Sequence, residues 1–316
     1  MLVDTRLSLD AGVDAGLIRE VDALLQRVEG ERGYRPVSDQ WWLELHHPPP
    51  GVTAVTVRDV AGALIGFALA AHHPADDGHG AWAFETVTTE AIGRAGVLDA
   101  LAGALVDAAS AAGVHELTWT VQGPTSDHDR AAARHGLQPV RHLHQMRRAL
   151  PIEMPFDFTT RAFDPERDID AWVAVNARSF AWNPEQGRWT PDDVRARMAE
   201  PWFDAAGLLV HERDGRMAGF CWTKIHPAQA DDPAMGEIYV VAVDPDFQGL
   251  GLGRDLTLAG LAHLAASGPR VAMLFVDADN VAAIRVYERL GFVIHRTDTI
   301  FQGTIVQGTI SPDPAS

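Results

Sequence analysis

The sequence contains little of what secreted or membrane proteins need. It has one cysteine, Cys221, which excludes an intramolecular disulfide and is typical of a reducing compartment. No apolar run approaches the ~20 residues of a membrane-spanning helix. The N-terminal stretch MLVDTRLSLD lacks the basic region and apolar core of a secretory signal. We therefore expect a cytoplasmic protein with no membrane partner.

Basic residues are also scarce. Lysine and arginine number 26 against 43 aspartates and glutamates, which gives a formal net charge of −17. Non-specific nucleic-acid binding depends on basic side chains that neutralise phosphates, so we expect no nucleic-acid partner. The same negative field repels an anionic ligand. Such a ligand must be held by local groups, for example the backbone N–H groups of a helix N-terminus.

The chain of 316 residues is long enough for two domains. Residues 149–160 contain two prolines and no clean helical or strand period, which predicts a connector. We therefore divide the chain into residues 1–150 and residues 151–316.

The two halves contain a faint collinear repeat with an offset of about 155 residues. The matching segments, first half then second, are 57–70 with 210–223, 117–121 with 273–277, and 131–140 with 285–294. In the second half, residue periodicity predicts helices and strands that alternate as in a mixed sheet flanked by helices, an α/β fold. The helices are predicted at 165–180, 190–200, 252–267 and 280–289, and the strands at 207–212, 217–225, 236–243, 271–276 and 292–300.

A glycine-rich loop lies between a predicted strand and a predicted helix, at Gln248-Gly-Leu-Gly-Leu-Gly-Arg254. Glycines let successive backbone N–H groups point at one bound anion. A Walker loop would continue with Gly-Lys-Ser/Thr, and a dinucleotide fingerprint would have the spacing G-x-G-x-x-G, so neither fits. A plain strand-to-helix connection remains the alternative to an anion cradle.

The wider pattern resembles the GCN5-related N-acetyltransferase (GNAT) family. It consists of VAVDP before the loop, Gln248-x-x-Gly251-x-Gly253, and DADNVAAIRVYERLGF about thirty residues later. The resemblance implies that the chain binds acetyl-CoA as cosubstrate and folds as two tandem GNAT-like domains. It also implies a set of cofactor-binding residues: Val241, Ala242 and Val243 along the pantetheine, Gln248, Gly249, Leu250, Gly251, Leu252, Gly253 and Arg254 around the pyrophosphate, and Asn280, Val281, Ala282, Ala283, Ile284 and Arg285 near the thiol.

The whole chain is similar to a narrower group of tandem GNAT enzymes. Segments that carry this similarity include FAWNPEQGRWT (180–190), CWTKIHP (221–227) and GEIYVVAVDP (236–245) in the second half, and PVSDQ (36–40) in the first. These enzymes acetylate the cysteinyl amine of 1-D-myo-inosityl-2-L-cysteinylamido-2-deoxy-glucopyranoside. The similarity implies that this cysteinyl-glucosaminyl-inositol is the substrate.

Acetyl transfer from a thioester to an amine needs a base near the amine and an acid near the sulfur. Glu237 stands at the start of the predicted cofactor strand, two residues from Tyr239 and on the same face, so we expect it to be the base. Tyr287 lies two helical turns beyond Asn280 and can donate a proton to the leaving sulfur. The family has a base and an acid at the matching positions.

The resemblance also implies a substrate-binding set. Its members are Asp39, Glu185, Lys224, Phe275 and Glu237 itself. Carboxylates and a lysine suit a ligand with one ammonium and many hydroxyls. Phe275 departs from the family, which often has tyrosine there, so one hydrogen bond to the substrate is in doubt.

The first half lacks counterparts of these groups. With the offset of 155, Gly251 matches Gly96, but Glu237 falls near Trp82 and Tyr287 falls on Ala132. We therefore expect a degenerate N-terminal domain that does no chemistry and closes the substrate cleft between the domains.

Two other functions fit the same residues. One is acetylation of a different small amine, such as an aminoglycoside or polyamine, which the lysine at position 224 mildly disfavours. The other is a non-enzymatic acetyl-CoA-binding module, in which loss of Glu237 and Tyr287 would be expected. None of the histidine pairs has metal-ligand spacing, so no metal is expected. We expect a monomer.

Overall fold

The structure is a computed structural model that describes residues 5–10, 12–74, 80–89, 94–155, 157–182, 184–228, 233–306 and 309–311. Its helices, in chain order, are α1 (Ala15–Arg32), α2 (Asp39–His46), α3 (Arg94–Ala111), α4 (Ser126–Arg134), α5 (Pro165–Ser179), α6 (Pro184–Gly187), α7 (Pro191–Met198), α8 (Leu252–Ala266) and α9 (Val281–Arg289). Its strands are β1 (Arg6–Asp10), β2 (Thr53–Arg58), β3 (Leu64–Pro74), β4 (Gly80–Thr88), β5 (Glu116–Val121), β6 (Gln138–Ala149), β7 (Arg161–Ala162), β8 (Leu208–Arg213), β9 (Arg216–His226), β10 (Met235–Val243), β11 (Val271–Asp277), β12 (Val293–Val306) and β13 (Thr309–Ser311).

Every helix and strand predicted for the second half is present. Most ends agree to within one or two residues, and α5 shows why. Asp164 caps its N-terminus by accepting from the backbone of Glu166, and Pro165 occupies the first turn, where its missing N–H costs nothing. The largest difference is β12, which continues to Val306.

The chain forms two compact units, one of residues 1–143 with 296–316 and one of residues 144–295. This division differs from the expected one at residue 150, because the C-terminal segment belongs to the first unit. There, β12 pairs antiparallel with β5, from Thr299 opposite Val121 to Thr304 opposite Glu116. A ladder of backbone hydrogen bonds holds a segment to the sheet that it extends, whatever its position in the sequence.

The first unit has a mixed sheet with helices on both faces. Its strand order is β1-β2-β3-β4-β5-β12, with β4 and β5 parallel. Along β3, Phe67 and Leu69 face the core under α1 and α2, whereas Ala68 and Ala70 face the core under α3 and α4. This alternation is the period of two expected of a strand buried on both sides.

The second unit repeats this architecture with the strand order β6-β11-β10-β9-β8-β7. On β9, Cys221 faces the core formed with α8 and α9, and its neighbours Phe220 and Trp222 face the core formed with α5 and α7. Each strand of this sheet therefore has one side chain set directed at each helical layer.

The predicted repeat is confirmed at the level of register. The parallel ladder between β4 and β5 joins Ala81–Phe84 to Glu116–Trp119, and that between β10 and β11 joins Met235–Ile238 to Val271–Leu274. These ladders are related by an offset of about 155 residues, as are the helices α4 and α9. The predicted α/β fold class is also confirmed.

A buried carboxylate in the first unit fastens the start of α2. Glu85 of β4 is 6% exposed. Its Oε2 accepts from the backbone N–H of Ser38 at 2.9 Å, and its Oε1 accepts from the Ser38 hydroxyl. Burial, helped by the nearby carboxylates of Asp298 and Glu44, raises the pKa of Glu85 to about 7, although the hydrogen bonds from Ser38 lower it. Because Ser38 caps α2, Glu85 holds the residue that precedes Asp39.

We expect Glu85 to make folding pH-dependent. Its pKa is higher in the folded protein, so its contribution to stability is present below about pH 4.5 and is lost as pH rises through about 7. Glu85→Gln removes this loss. Between about pH 4.5 and 8, the free energy of unfolding of the variant should rise relative to wild type by up to about 3 kcal/mol. Urea unfolding of both proteins measures it, and a pH-independent difference would contradict the linkage.

Candidate active site

Strand β10 is interrupted by a bulge at Tyr239. On the side of β9, Ile238 stands opposite Thr223, but the next pair is Val240 opposite Trp222. Tyr239 is therefore an extra residue. A bulge bends its strand and re-aims the side chains that follow. In the first unit, β4 pairs with β3 in an unbroken register.

On the side of β11, the parallel ladder ends where the bulge begins. Its last pair is Ile238 opposite Leu274, although β10 continues to Val243 and β11 to Asp277. No ladder joins the two strands beyond this pair in the described part of the chain. The two strands therefore part, and the edge of β10 is open to an extended ligand, which can bind as an added strand does.

The predicted pantetheine residues form this edge. Val241 and Val243 direct their side chains to the core with α8, and Ala242 directs its methyl group to the core with α5 and α7. Their side chains are thus engaged in packing, and the carbonyl oxygen of Val243 accepts from the Ser179 hydroxyl at 3.0 Å. The backbone groups that face away from β9 are therefore the ones available along the opening.

The glycine loop follows the end of β10, and its glycines have two different roles. Gly249 and Gly251 have φ of +78° and +81°, in the left-handed region. A Cβ at either position meets nothing within 4 Å, so the requirement is one of backbone conformation. Gly253 lies in the first turn of α8, where a Cβ would make an ordinary contact with Val243 at 3.8 Å.

Gly251 is also the N-cap of α8 and has no side chain with which to accept a hydrogen bond. The backbone N–H groups of Arg254 and Asp255 donate to the carbonyl oxygen of Gly251 at 3.1 and 3.3 Å, so the helical N–H groups left for a ligand are those of Leu252 and Gly253. Of the neighbouring predicted residues, Gln248 and Leu250 are exposed, Leu252 is buried, and the exposed Arg254 pairs with Asp255 at 2.8 Å. The loop thus presents backbone donors at its surface.

Arginines neutralise the acidic residues beside this loop. Arg178 pairs with Asp244 at 3.2 Å and with Asp246 at 2.8 Å. Arg216 pairs with Asp246 at 3.3 Å. The hydrogen bond from Arg178 lowers the pKa of Asp246, which stays ionised and paired. These pairs reduce the repulsion that a chain with a net charge of −17 exerts on an anion.

Asn280 begins α9 and caps it. Its Oδ1 accepts from the backbone N–H of Ala283 at 3.1 Å, which leaves its amide NH₂ for other partners. Val281, Ala282 and Arg285 are exposed, whereas Ala283 and Ile284 pack on the core with α8. The predicted thiol-end residues therefore present an exposed first turn.

Tyr287 lies on the packed face of α9. It is partly buried in the core with α8 and makes an edge contact with Phe292, with ring centroids 6.0 Å apart. Burial raises the pKa of its phenol, and the nearby thiol of Cys221 raises it further. The phenol is therefore protonated at neutral pH and can act as a hydrogen-bond donor.

Glu237 is buried on β10, and its carboxylate has a partner that sequence reasoning missed. Its Oε2 lies 2.6 Å from Nε2 of His226, with side chains 9% and 18% exposed. The sequence held a signal for this pair, since His226 follows Lys224 by two residues and so shares its face of β9. Only the register shows that this face meets Glu237, which stands opposite Lys224.

Lys224 is the single lysine of the chain. Its Nζ lies 4.9 Å from the ring centroid of Trp202 and 5.7 Å from that of Tyr239, both on the face of the sheet covered by α5 and α7. Phe275 is 36% exposed and lies between Leu274 and Val276, which face the α8 core. By alternation, Phe275 lies on the same face as Lys224 and Glu237.

Glu185 lies in the short helix α6, and its side chain is outside the described residues. Its segment is held by Asn176 of α5, which is fully buried. Asn176 donates to the backbone carbonyl of Gln186 at 2.6 Å and accepts from the Gln186 side chain at 2.9 Å. At Gly187, a Cβ would lie 2.3 Å from the carbonyl oxygen of Phe180, so only glycine fits.

Asp39 is the first residue of α2 in the first unit, and its side chain is also outside the described residues. Of the other predicted site residues, Glu237, Lys224 and Phe275 share one face of the second sheet. Tyr287 packs against the other face, with Ile238 and Cys221. The base and acid candidates are therefore on opposite sides of β10, at the point where it separates from β11.

No described helix has both the length and the apolar character to cross a membrane. No group of three or more histidines, cysteines, aspartates and glutamates among them is arranged to hold a metal ion.

Comparison with known proteins places this site in a family context. The model of the "Acetyltransferase (GNAT) family" matches residues 174–292. The chain is 43% identical over 291 residues to a mycothiol acetyltransferase of Thermomonospora curvata, covering 90% of this chain and 93% of the relative. It is 41% identical over 293 residues to a mycothiol acetyltransferase of Streptomyces coelicolor, covering 89% of each.

Solved structures of low sequence identity share the fold. A GCN5-related N-acetyltransferase from Sphaerobacter thermophilus superposes with a TM-score of 0.69 at 18% identity and covers 99% of each chain. A tandem GNAT protein from the clavulanic acid biosynthesis pathway has a TM-score of 0.67 at 18% identity, covering 95% of this chain and 98% of that chain. The tandem GNAT architecture expected from the sequence is therefore confirmed.

The two kinds of glycine in the loop predict different effects of alanine. Gly251→Ala forces a Cβ into the left-handed region and should cost about 1 to 2 kcal/mol of unfolding free energy. Gly253→Ala is the matched control, since helix propensity favours alanine there by up to about 1 kcal/mol. Urea unfolding of both variants measures the contrast. Equal effects at the two positions would contradict the assigned roles.

Proposed function

Since the chain belongs to the mycothiol acetyltransferase family of GNAT proteins, we propose that it moves acetyl from acetyl-CoA to the cysteinyl amine of 1-D-myo-inosityl-2-L-cysteinylamido-2-deoxy-glucopyranoside. It is an acetyl-CoA-dependent N-acetyltransferase of mycothiol biosynthesis. The observation that carries this best is the separation of β10 and β11 beyond Ile238, beside the buried carboxylate of Glu237.

The cofactor runs along β10 in this proposal. The backbone donors of residues 248–254 hold the pyrophosphate at the start of α8, where the positive end of a helix dipole favours negative charge. The backbone of residues 241–243 bonds the pantetheine. The exposed first turn of α9, residues 280–285, flanks the thioester. The match of the GNAT family model to residues 174–292, inside the second unit, supports assigning the chemistry to that unit.

Glu237 is the base. The cysteinyl ammonium carries three protons, and the amide product keeps one. Glu237 takes the first proton, so that nitrogen can attack the thioester carbonyl and form the tetrahedral intermediate. Its backbone is fixed, because it pairs with Lys224 of β9 and with Met273 of β11, one residue before the ladder to β11 ends.

Tyr287 is the acid. Burial keeps its phenol protonated, so it can donate to the sulfur as the carbon–sulfur bond breaks. The second proton of the nitrogen then replaces the one that Tyr287 gave up. The leaving group departs as a thiol, and one proton per turnover is released to water.

The polar substrate contacts residues on the face of the second unit's sheet that bears Glu237. Lys224 and Phe275 lie on that face, and the helix that bears Glu185 is fastened by Asn176. We include Asp39 of the first unit in the substrate set, held in position by Glu85 through Ser38. The first unit, which lacks the bulge and both proton-transfer groups, does no chemistry in this proposal.

A cytoplasmic location and a monomeric state complete the proposal. Burial raises the pKa of Cys221 to about 12, so the single thiol is an unreactive core group, as suits a reducing compartment. Sedimentation measurements of the purified protein test the monomer.

We expect release of free CoA when purified protein receives acetyl-CoA and the cysteinyl-glucosaminyl-inositol. Aminoglycosides and polyamines, offered at the same concentrations, should react far more slowly. The measurement is the thiol released per unit time, and product mass identifies the acetylated amine. Turnover of aminoglycosides without turnover of the cysteinyl compound would reject the proposed substrate.

Glu237→Gln should lower kcat about 100-fold or more, since the amide cannot accept the proton. The dissociation constant of acetyl-CoA should change little, because Glu237 is not part of the loop that holds the cofactor. Glu288→Gln, a charge change at an exposed position of α9, is the matched control and should leave kcat unchanged. Wild-type kcat in Glu237→Gln would remove Glu237 from the mechanism.

A further inference from the structure

The contact between His226 and Glu237 is a close polar contact at this site that the proposed mechanism does not use. Nε2 of His226 lies 2.6 Å from Oε2 of Glu237, a short distance for a nitrogen–oxygen hydrogen bond and typical of one to a charged acceptor. Among the described residues, His226 is the only hydrogen-bond partner of this carboxylate. The pair is more than four-fifths buried on each side.

The register of the β9–β10 hairpin explains why the two side chains meet. His226 stands opposite Met235, and Lys224 stands opposite Glu237. His226 and Glu237 are therefore diagonal neighbours on one face of an antiparallel pair, which is within reach of long side chains. Both lie on the ladder before the bulge, where β10 pairs with β9 on one side and with β11 on the other.

The contact with His226 gives the two carboxylate oxygens of Glu237 different roles. A histidine nitrogen that donates to Oε2 fixes the torsion of the carboxylate and leaves Oε1 for a substrate proton. Without that hydrogen bond, the carboxylate can turn about its side-chain torsions, and Oε1 no longer has a fixed direction.

This inference rests on the proposed role of Glu237 as the base. We propose that His226 is the positioning residue of that base: it donates from Nε2 to Oε2 and holds Oε1 toward the incoming amine. His226 itself touches neither the amine nor the thioester. Its effect on catalysis passes through Glu237.

Three substitutions separate this role from simple packing. In His226→Gln, the side-chain amide nitrogen reaches about as far as Nε2 and can still donate to Oε2. His226→Asn has the same amide on a side chain that is one carbon shorter, so it cannot reach. His226→Ala removes the donor. His211→Ala is the control, since His211 lies on β8 and contacts the backbone carbonyl of Thr159 and the ring of Phe158.

We expect His226→Ala and His226→Asn to lower kcat about 10-fold to 100-fold, the scale of a misplaced catalytic group. The dissociation constant of acetyl-CoA should stay within about two-fold of wild type, because the loop that holds it is untouched. His226→Gln should recover kcat to within about five-fold, and His211→Ala should match wild type. Thermal unfolding confirms that each variant is folded, and the Gln and Asn variants carry the test if the alanine variant is not.

The decisive measurement is a double-mutant cycle on kcat with Glu237→Gln. If His226 acts through Glu237, then His226→Ala causes no further loss once Glu237 is glutamine. Losses that multiply in the double variant, or equal kcat for His226→Gln and His226→Asn, would overturn the inference while leaving Glu237 as the base. Wild-type kcat in Glu237→Gln alone would overturn the proposed base, and the inference with it.

Discussion

The structure of the site depends on the interruption of one hydrogen-bonded ladder. The ladder between β10 and β11 ends at Ile238 and Leu274, and at the next residue, Tyr239, a bulge bends β10 on the side of β9. The proposed role of each site residue depends on which side of this position it lies. The open strand edge lies beyond it, the glycine loop lies at its far end, and Glu237 with His226 lies on the rigid side, where the strand is paired with both neighbours.

The two units show the same architecture with and without the bulge at Tyr239. In the first unit the ladder between β4 and β5 also ends after four pairs. There, however, β4 pairs with β3 without a bulge. The rings of Phe84 and Trp119 stack at the end of the ladder, with centroids 5.4 Å apart. The first unit thus has the same sheet between helical layers but no bulge in β4. Its buried Glu85 holds Ser38 at the start of a helix, so a carboxylate on the equivalent strand serves structure there.

At both ends of β10, acidic side chains have close partners on neighbouring elements. A chain with a net charge of −17 must lower the local negative charge wherever it binds an anion, and it does so at the loop by pairing Asp244 and Asp246 with Arg178 and Arg216. At the other end, a carboxylate is needed as a base, and its partner is a histidine. The histidine nitrogen fixes one carboxylate oxygen and leaves the other oxygen for the substrate.

The sequence by itself determined the fold class, the repeat, the elements of the second half and the position of the glycine loop, because periodicity, caps and turn glycines are local signals. It also placed Glu237 and Lys224 in segments that resemble the family's motifs. Tertiary structure alone decided the bulge at Tyr239, the partnership of His226 with Glu237, the anchoring of α6 by Asn176, and the place of residues 296–316 in the first unit. Each of these depends on strand register or on contact between distant segments, which the order of residues does not encode locally.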